Sequence, residues 1–527
     1  MQRQPSKISY GAWFAMRAAR SGNRIALTFE GRDWTFAQLL DEVDRFAAAL
    51  RDRGVRFGDR VSYTGENHPA FFITMLASYR LGGIFVPINF RLSAGEMEYI
   101  LNDAAAAAVV ADPGRQEVVG SIRGSIPARV FVGVEGAADD WESFERLVDQ
   151  TDPLSMPGNV TDDSVAIIIY TSGTTGYPKG AQLTHSNMWW NTQSLFNLID
   201  GISTEDVTLS VAPLFHVAGL NVTIPTTWMR GGRVVLQRNF NPAQFLADIE
   251  KYQVNTLFGV PAMFIGVMAL DEFADADLGS VRLAVCGGAP VRSHVLQTYH
   301  DRGIQMLQGY GLSETAPAAI FLVGEHSLTK LGSCGVPAMF IEAKLVDSDN
   351  REIEGNNEVG EICLRGPNVT IGYWNKPEAT AAAFDEAGWF HTGDLGRRDD
   401  DGFYYIVDRI KDLVITGGEN VYPAEVENVL FEHPSVAEVA VVGLPDPKWG
   451  EAVTAVVKLA SESDSGAGAG AGELTLEDLR DFASARLARY KLPLRLHIVP
   501  ELPRNAQGKV LKIDLRRELA GDSAAGA

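Results

Sequence analysis

The strongest constraint on this chain is the junction at residues 165–180, where an unbroken apolar run, Val165-Ala-Ile-Ile-Ile169, meets Tyr170-Thr-Ser-Gly-Thr-Thr-Gly-Tyr-Pro-Lys-Gly180. A run that apolar reads as a buried strand. Its carboxyl end then enters a loop holding the hydroxyls of Tyr170, Thr171, Ser172, Thr174 and Thr175, together with glycines and Lys179. Glycines let a loop curl its backbone N–H groups around an anion, and hydroxyls with one cation complete a cradle suited to a polyphosphate. The spacing departs from the ordinary P-loop, because no Gly-Lys-Ser/Thr follows where that motif requires it. A flexible linker is the competing reading, but linkers do not usually abut a strand of this kind.

Beyond the loop, apolar strands alternate with helical periodicity. Helical spacing runs over residues 35–55, and a strand follows at Arg60–Thr64. A helix is predicted over Pro69–Leu81, ending at Gly82-Gly83, with another strand at Ile84–Ile88. Further strands are expected at 107–110, 129–132, 233–236, 256–259 and 282–285. Such alternation predicts α/β layers around buried sheets. Past residue 400 the texture changes to a compact α+β unit, and Ser461–Gly472 reads as a mobile surface insertion.

With 527 residues, of which 46% are hydrophobic, the chain exceeds one ordinary domain and can fill large cores. A formal charge of −21 argues against wrapping nucleic acid or an anionic membrane, yet leaves room for a locally basic nucleotide pocket. The cysteines Cys286, Cys334 and Cys363 are far apart and lack ligand-type spacing, as expected of reduced thiols, with Cys286 a small core residue. No run approaches the ~18–20 apolar residues that cross a bilayer. Arg17 and Arg20 interrupt the only signal-like stretch, Tyr10–Arg20, which reads as a surface helix, so a cytoplasmic location is expected.

The 170–180 loop resembles the signature loop of the AMP-forming adenylating enzymes, and the other motifs of that superfamily occur in order along nearly the whole chain. The likeness is strongest to bacterial acyl-CoA synthetases and coumarate–CoA ligases. It implies the adenylate-forming enzyme fold: a large multi-layer α/β N-terminal domain, 1–407, and a small mobile α+β C-terminal domain, 408–527, pivoting at Asp408. It also implies the reaction, in which ATP converts a carboxylic acid (acyl or aryl) into a mixed anhydride with AMP, which coenzyme A then takes up.

Each part of that chemistry has a candidate. By resemblance, Thr171, Ser172, Gly173, Thr174, Thr175 and Lys179 hold the β- and γ-phosphates. In Gln308-Gly-Tyr-Gly-Leu-Ser-Glu-Thr315, Tyr310 offers a face for adenine between Gly309 and Gly311, and Thr315 a hydroxyl for the α-phosphate. Glu314 is a hard oxygen ligand suited to Mg²⁺, with Thr175 beside it in the family's metal set. Gly287, Gly288, Ala289 and Pro290 match the turn along the adenine edge, Asp394 the ribose ligand, and Arg409 and Tyr405 further nucleotide contacts. Gly417 and Gly418 match the loop flanking the pantetheine channel. His216 matches an aromatic gate at the acyl pocket and, with Lys509, Thr175 and Glu314, completes the candidate catalytic set. Lys448, Arg489 and Lys491 are cations that either meet CoA phosphates or are plain surface charge.

Val217, Ala218 and Gly219 carry no acid to pair with an α-ammonium, which disfavours amino acids as substrates. Asn221 matches a position near the phenol end of coumarate-type substrates, and Ala218 leaves that pocket roomy. Rival readings keep the nucleotide chemistry and change the acceptor: a carrier protein, an amine, or nitrite activation that diazotises an arylamine. An assembly, if one forms, is expected to be a homodimer. Lys509→Ala should lower adenylation, read as pyrophosphate release, by about 10²–10³-fold, as for loss of a preorganised donor. Thioester formation from preformed adenylate should survive, and equal loss in both half-reactions would refute the role.

Overall fold

The computed structural model describes residues 9–171, 177–198, 202–460, 474–484, 486–504 and 510–525, with the backbone alone for 520–525. Two compact units emerge. The first comprises Met1–Ala343, Leu364–His391 and Gly402–Tyr404; the second Lys344–Cys363, Thr392–Asp401 and Tyr405–Ala527.

Two sheets organise the first unit. The nine-stranded sheet runs, in spatial order, Val336–Pro337, Ile320–Leu322, Gln305–Tyr310, Leu283–Gly287, Thr256–Gly259, Val207–Ser210, Arg233–Leu236, Ile25–Phe29 and Arg32–Thr35. Its middle, from Gln305–Tyr310 to Ile25–Phe29, is parallel throughout. The seven-stranded sheet runs Glu142–Ser143, Val130–Gly133, Ala106–Ala111, Arg60–Thr64, Ile84–Ile88, Val165–Thr171 and Lys179–Thr184. Only its last strand is antiparallel to its neighbour. Parallel strands are covered on both faces, and so Ala106–Ala111 and Ile84–Ile88 are buried at every residue.

The helix Pro69–Leu81 is also buried at every residue. His68 caps it by accepting from the Ala70 N–H, Pro69 opens it, and Gly82 at φ 75° ends it. Its side chains join a core fed by both sheets, with Val61, Phe85, Val234 and Leu236 among the contributors. The stretch read as a surface helix is the helix Tyr10–Ser21. It lays Trp13 and Phe14 into that core, and Phe14 meets Trp228 edge-on at 5.3 Å. Cys286 is fully buried, as its apolar context required.

Strands Glu342–Val346, Val359–Arg365, Phe390–Arg398 and Tyr404–Arg409, most of whose residues belong to the second unit, form a four-stranded sheet. A five-stranded sheet comes next, built on the long antiparallel pair Val436–Asp446 and Gly450–Leu459, with helices Pro423–Phe431 and Leu476–Ser484 supplying Val426, Leu430 and Leu479 to its core. The α/β class and the large-plus-small design therefore hold. The 461–472 insertion lies outside the described residues.

One side chain stitches the two sheets of the first unit. Asn67, 4% exposed, lies just past the strand Arg60–Thr64. Its Nδ2 donates to the carbonyls of Ala212 and Gln237 at 3.1 Å, and its Oδ1 accepts from the Leu214 N–H at 2.9 Å. Those partners flank strands of the other sheet and begin the segment carrying His216. Asn67→Ala should orphan three buried backbone groups, each worth on the order of 1–3 kcal/mol. A lower thermal midpoint and a weakened acid KM are the expected outcomes, read by calorimetry and steady-state kinetics.

Candidate active site

Open α/β sheets take ligands outside the carboxyl ends of their strands. At that edge of the nine-stranded sheet, Gly287 and Gly309 are register partners on adjacent parallel strands. The candidate turns Gly287–Pro290 and Gln308–Gly311 therefore lie side by side. Gly288, Ala289 and Pro290 are exposed, and Tyr310 closes its strand half-buried. Gly309 makes room for the ring of Phe321, since a Cβ there would sit 2.7 Å from Cε1. Gly311 is tighter still: a Cβ would lie 1.7 Å from the Pro317 carbonyl oxygen. A neighbouring strand and the protein's own turn thus explain the two glycines flanking Tyr310.

That turn presents Glu314, which is 7% exposed. Thr315 shapes it: fully buried, its hydroxyl donates to the Pro317 carbonyl at 2.7 Å and accepts from the Leu312 N–H at 3.0 Å. Asn368 reinforces it from another segment, donating to the carbonyls of Thr315 and Ala318 at 2.5 and 2.6 Å.

Of the phosphate-loop candidates, Ser172, Gly173, Thr174 and Thr175 lie outside the described residues. The loop's two ends are described. Thr171 and Lys179 are register partners on antiparallel strands, and the Thr171 hydroxyl reaches the Lys179 carbonyl at 3.4 Å. The Tyr170 hydroxyl donates to Asp103 at 2.7 Å, and burial, with Asp103 adding to it, raises its pKa.

Sequence reasoning missed a residue here. Tyr373 donates its hydroxyl to Glu314 Oε1 at 2.9 Å, while Lys179 Nζ lies 5.4 Å from its ring centre. Burial, then the charge of Glu314, pushes the Tyr373 phenol well above its ordinary pKa, so it stays a donor. Nothing in Gly372-Tyr-Trp374 announces this, because the residue is brought in by backbone pairing alone. Ala181 and Tyr373 form an antiparallel bridge, and the Trp374 N–H donates to Gly180.

On the acyl side, His216 precedes the short helix Val217–Asn221. Its ring lies tilted at 51° against Phe215 with centroids 4.3 Å apart, and burial, then Arg91, pushes its pKa down to about 4. Asn221 is 1% exposed. Its Nδ2 donates to the Ala316 carbonyl at 3.3 Å, next to the Glu314 turn, while its Oδ1 finds no hydrogen-bond partner among the described residues. It borders an apolar cavity of about 10 Å³ with Trp13, Met75, Met188, Ile224 and Trp228. Ala218 is half-buried.

The second unit holds the remaining candidates. Asp394 sits within the strand Phe390–Arg398 rather than at its end, because strand pairing continues through it. It is 5% exposed, and Arg409 Nε lies 3.2 Å from its Oδ1. The sequence-separated pair is therefore united. Tyr405 is engaged elsewhere, donating to Asp399 at 3.1 Å under the Arg397 guanidinium. Gly417 and Gly418, at φ 60° and 86°, make the two-residue turn between Val414–Thr416 and Glu419–Val421, a conformation that favours glycine without any ligand. Lys491 forms an ion pair with Glu425 at 2.6 Å, whereas Lys448 lies over Trp449 at 4.7 Å. Sequence reasoning also passed over Lys411, whose pKa burial, then Arg409, lowers. Lys509 lies outside the described residues.

The AMP-binding enzyme profile matches residues 14–374, and the AMP-binding enzyme C-terminal domain profile matches residues 425–509. The chain belongs to the AMP-binding enzyme family. It is 40% identical over 507 residues to a feruloyl-CoA synthase of Amycolatopsis sp, covering 96% of this chain and 98% of that one. An indoleacetate–CoA ligase of Aromatoleum aromaticum is 35% identical over 509 residues, with coverage of 96% and 98%. Among solved structures, the o-succinylbenzoate CoA synthetase of Bacillus subtilis in complex with its acyl-adenylate intermediate superposes with a TM-score of 0.85. It is 32% identical, with 98% of this chain and 99% of that chain covered. Among the described residues, no helix is long and apolar enough to cross a membrane.

The buried histidines make stability depend on pH. His216 at about 4 and His185, pushed by burial to about 3, both sit below the ordinary 6.5. The unfolded chain therefore binds protons that the folded chain does not, and stability present above about pH 6.5 is lost as pH falls toward 4. The thermal midpoint should drop across that window, less steeply in His216→Phe. Above about pH 6 that variant should keep the wild-type pH profile of pyrophosphate release, because the imidazole is already neutral.

Proposed function

We propose that this chain is an AMP-forming acid–thiol ligase whose acid is aromatic and bears a hydrogen-bond donor at its far end. One acid oxygen attacks the α-phosphorus of ATP and pyrophosphate leaves. The thiol of CoA then attacks the carbonyl, forming the thioester and releasing AMP. A carboxylate is already a nucleophile, so no general base is required, in keeping with a neutral His216. That histidine, packed at an angle against Phe215, serves instead as a wall that excludes water from the acyl group.

The observation that carries the nucleotide assignment is the convergence of Glu314 and Lys179 on Tyr373 beside the carboxyl ends of two sheets. Magnesium is held by one or two carboxylates together with substrate phosphates, and Glu314, a buried and oriented hard-oxygen donor, fits that need. Bound there, the ion would offset charge on the phosphates. Lys179 meets the departing pyrophosphate, Tyr310 stacks on adenine, and Asp394 with Arg409 takes the ribose. The segment 408–527 acts as a mobile domain that pivots at Asp408 and brings Lys509 to the first step. Supporting the pivot, the Asp408 carboxylate accepts from groups on its C-terminal side, the N–H groups of Arg409 and Ala424, each at 2.7 Å.

Asn221 supports the choice of acid. A buried amide oxygen without a donor is costly, and a phenolic hydroxyl reaching it would remove that cost. The names of two relatives, for feruloyl and indoleacetate CoA esters, fit an aromatic acid. The test is a panel of 4-hydroxycinnamates, cinnamate and straight-chain acids, assayed with ATP and with or without CoA. Hydroxylated acids should exceed cinnamate in kcat/KM by about 10-fold or more, and Asn221→Leu should erase that gap. Preference for straight-chain acids would overturn the choice of acid; pyrophosphate release independent of every acid would overturn the ligase itself.

A further inference from the structure

The segment Pro367–Lys376 runs along three parts of the nucleotide site at once. Thr370 donates its N–H to the Glu314 carbonyl at 2.7 Å and its hydroxyl to the Gln182 carbonyl at 2.6 Å. Gly372 accepts from the Gln182 N–H at 2.9 Å, and Trp374 donates to the Gly180 carbonyl at 2.8 Å. Tyr373 lies between these backbone anchors, so its side chain has little freedom in where it points. Further on, Trp374 Nε1 reaches the Asp103 carbonyl at 3.1 Å and Lys376 Nζ the Asp103 carboxylate at 2.9 Å. The same carboxylate accepts from Tyr170, at the entrance of the phosphate loop. One segment therefore ties the loop's entrance, the loop's exit strand and Glu314 together.

We propose that Tyr373 is a positioning residue for nucleotide and metal. Its hydroxyl orients the Glu314 carboxylate toward the cation, and its ring holds Lys179 for the phosphates, two tasks in one side chain. The inference rests on the ligase reading above. Partners that orient a metal ligand typically govern affinity by about 10–100-fold. The two tasks separate by substitution, since Tyr373→Phe removes only the hydroxyl and Tyr373→Leu removes the ring as well.

The experiment titrates Mg²⁺ against ATP binding, by calorimetry, for wild type and both variants, with pyrophosphate release and thioester formation from preformed adenylate measured alongside. Tyr373→Phe should raise the Mg²⁺ concentration that half-saturates ATP binding by about 10-fold. Its KM for the acid and its thioester step should stay at wild-type values. Tyr373→Leu should show that shift and also weaken ATP binding in EDTA, where only the Lys179 contact is at stake. Wild-type magnesium dependence in Tyr373→Phe would overturn the proposal, as would a loss confined to the thermal midpoint. Either result leaves the ligase reading standing, whereas wild-type protein with no magnesium-dependent ATP uptake would sink both.

Discussion

The proposed nucleotide site depends on how the outer edge of the strand Lys179–Thr184 is satisfied. One edge pairs with Val165–Thr171, while the other would leave carbonyl and N–H groups open. Residues 370–374 close it: Gly180 and Gln182 offer carbonyls, and Gln182 an N–H, to that segment. Buried backbone groups must find partners, so this pairing is set by the sheet itself. It draws Tyr373 and Thr370 onto Glu314, and hence joins the seven-stranded sheet's strand Lys179–Thr184 to the acidic turn of the nine-stranded sheet. Asn187 adds to the same join by donating to the carbonyls of Pro367 and Val369 at 2.8 Å.

Much of this was legible in the sequence where local chemistry and regular periodicity agree. Pro69–Leu81 and its Gly82 stop are self-announcing, and so are Ile84–Ile88 and the strand leading to Gly287. Glu314 was nameable because its Ser-Glu-Thr follows Gly-Tyr-Gly in a chain that also carries the 170–180 loop. The Asp394–Arg409 pair was nameable only by resemblance; no periodicity relates the two strands that carry it. Tyr373 and Asn368 were not legible at all. Their value lies in backbone register and in carbonyls they meet across the fold, and neither leaves a compositional trace.

The glycines show how a motif can be read rightly for place and incompletely for cause. Reading Gly309 and Gly311 as clearance for a planar base is natural from the sequence. In the structure Gly311 answers first to the Pro317 carbonyl and Gly309 to Phe321. Gly417 and Gly418 likewise answer to a turn with positive φ, and a Cβ on Gly417 would press against Trp449 at 2.9 Å. The same residues can serve a ligand as well, but the fold alone already favours them. Thr315 carries the same lesson, since its hydroxyl is occupied in holding the turn that aims Glu314.

Electrostatics explains why such holding matters in this chain. The protein carries a formal charge of −21, so a polyanionic nucleotide approaches against the mean field. Salt screens that field beyond about 8 Å, leaving the decision to groups at contact distance. There, a carboxylate such as Glu314 is repulsive to phosphate unless a divalent cation stands between them, and a lysine helps only if it is held where the phosphates arrive. Tyr373 touches both groups. In the positioning role proposed for it, its hydrogen bond to one carboxylate oxygen sets which way the other faces, and a neutral phenol adds no charge of its own. On that proposal, an acidic protein keeps a site for an acidic substrate through orientation of a few groups rather than through a surplus of positive ones.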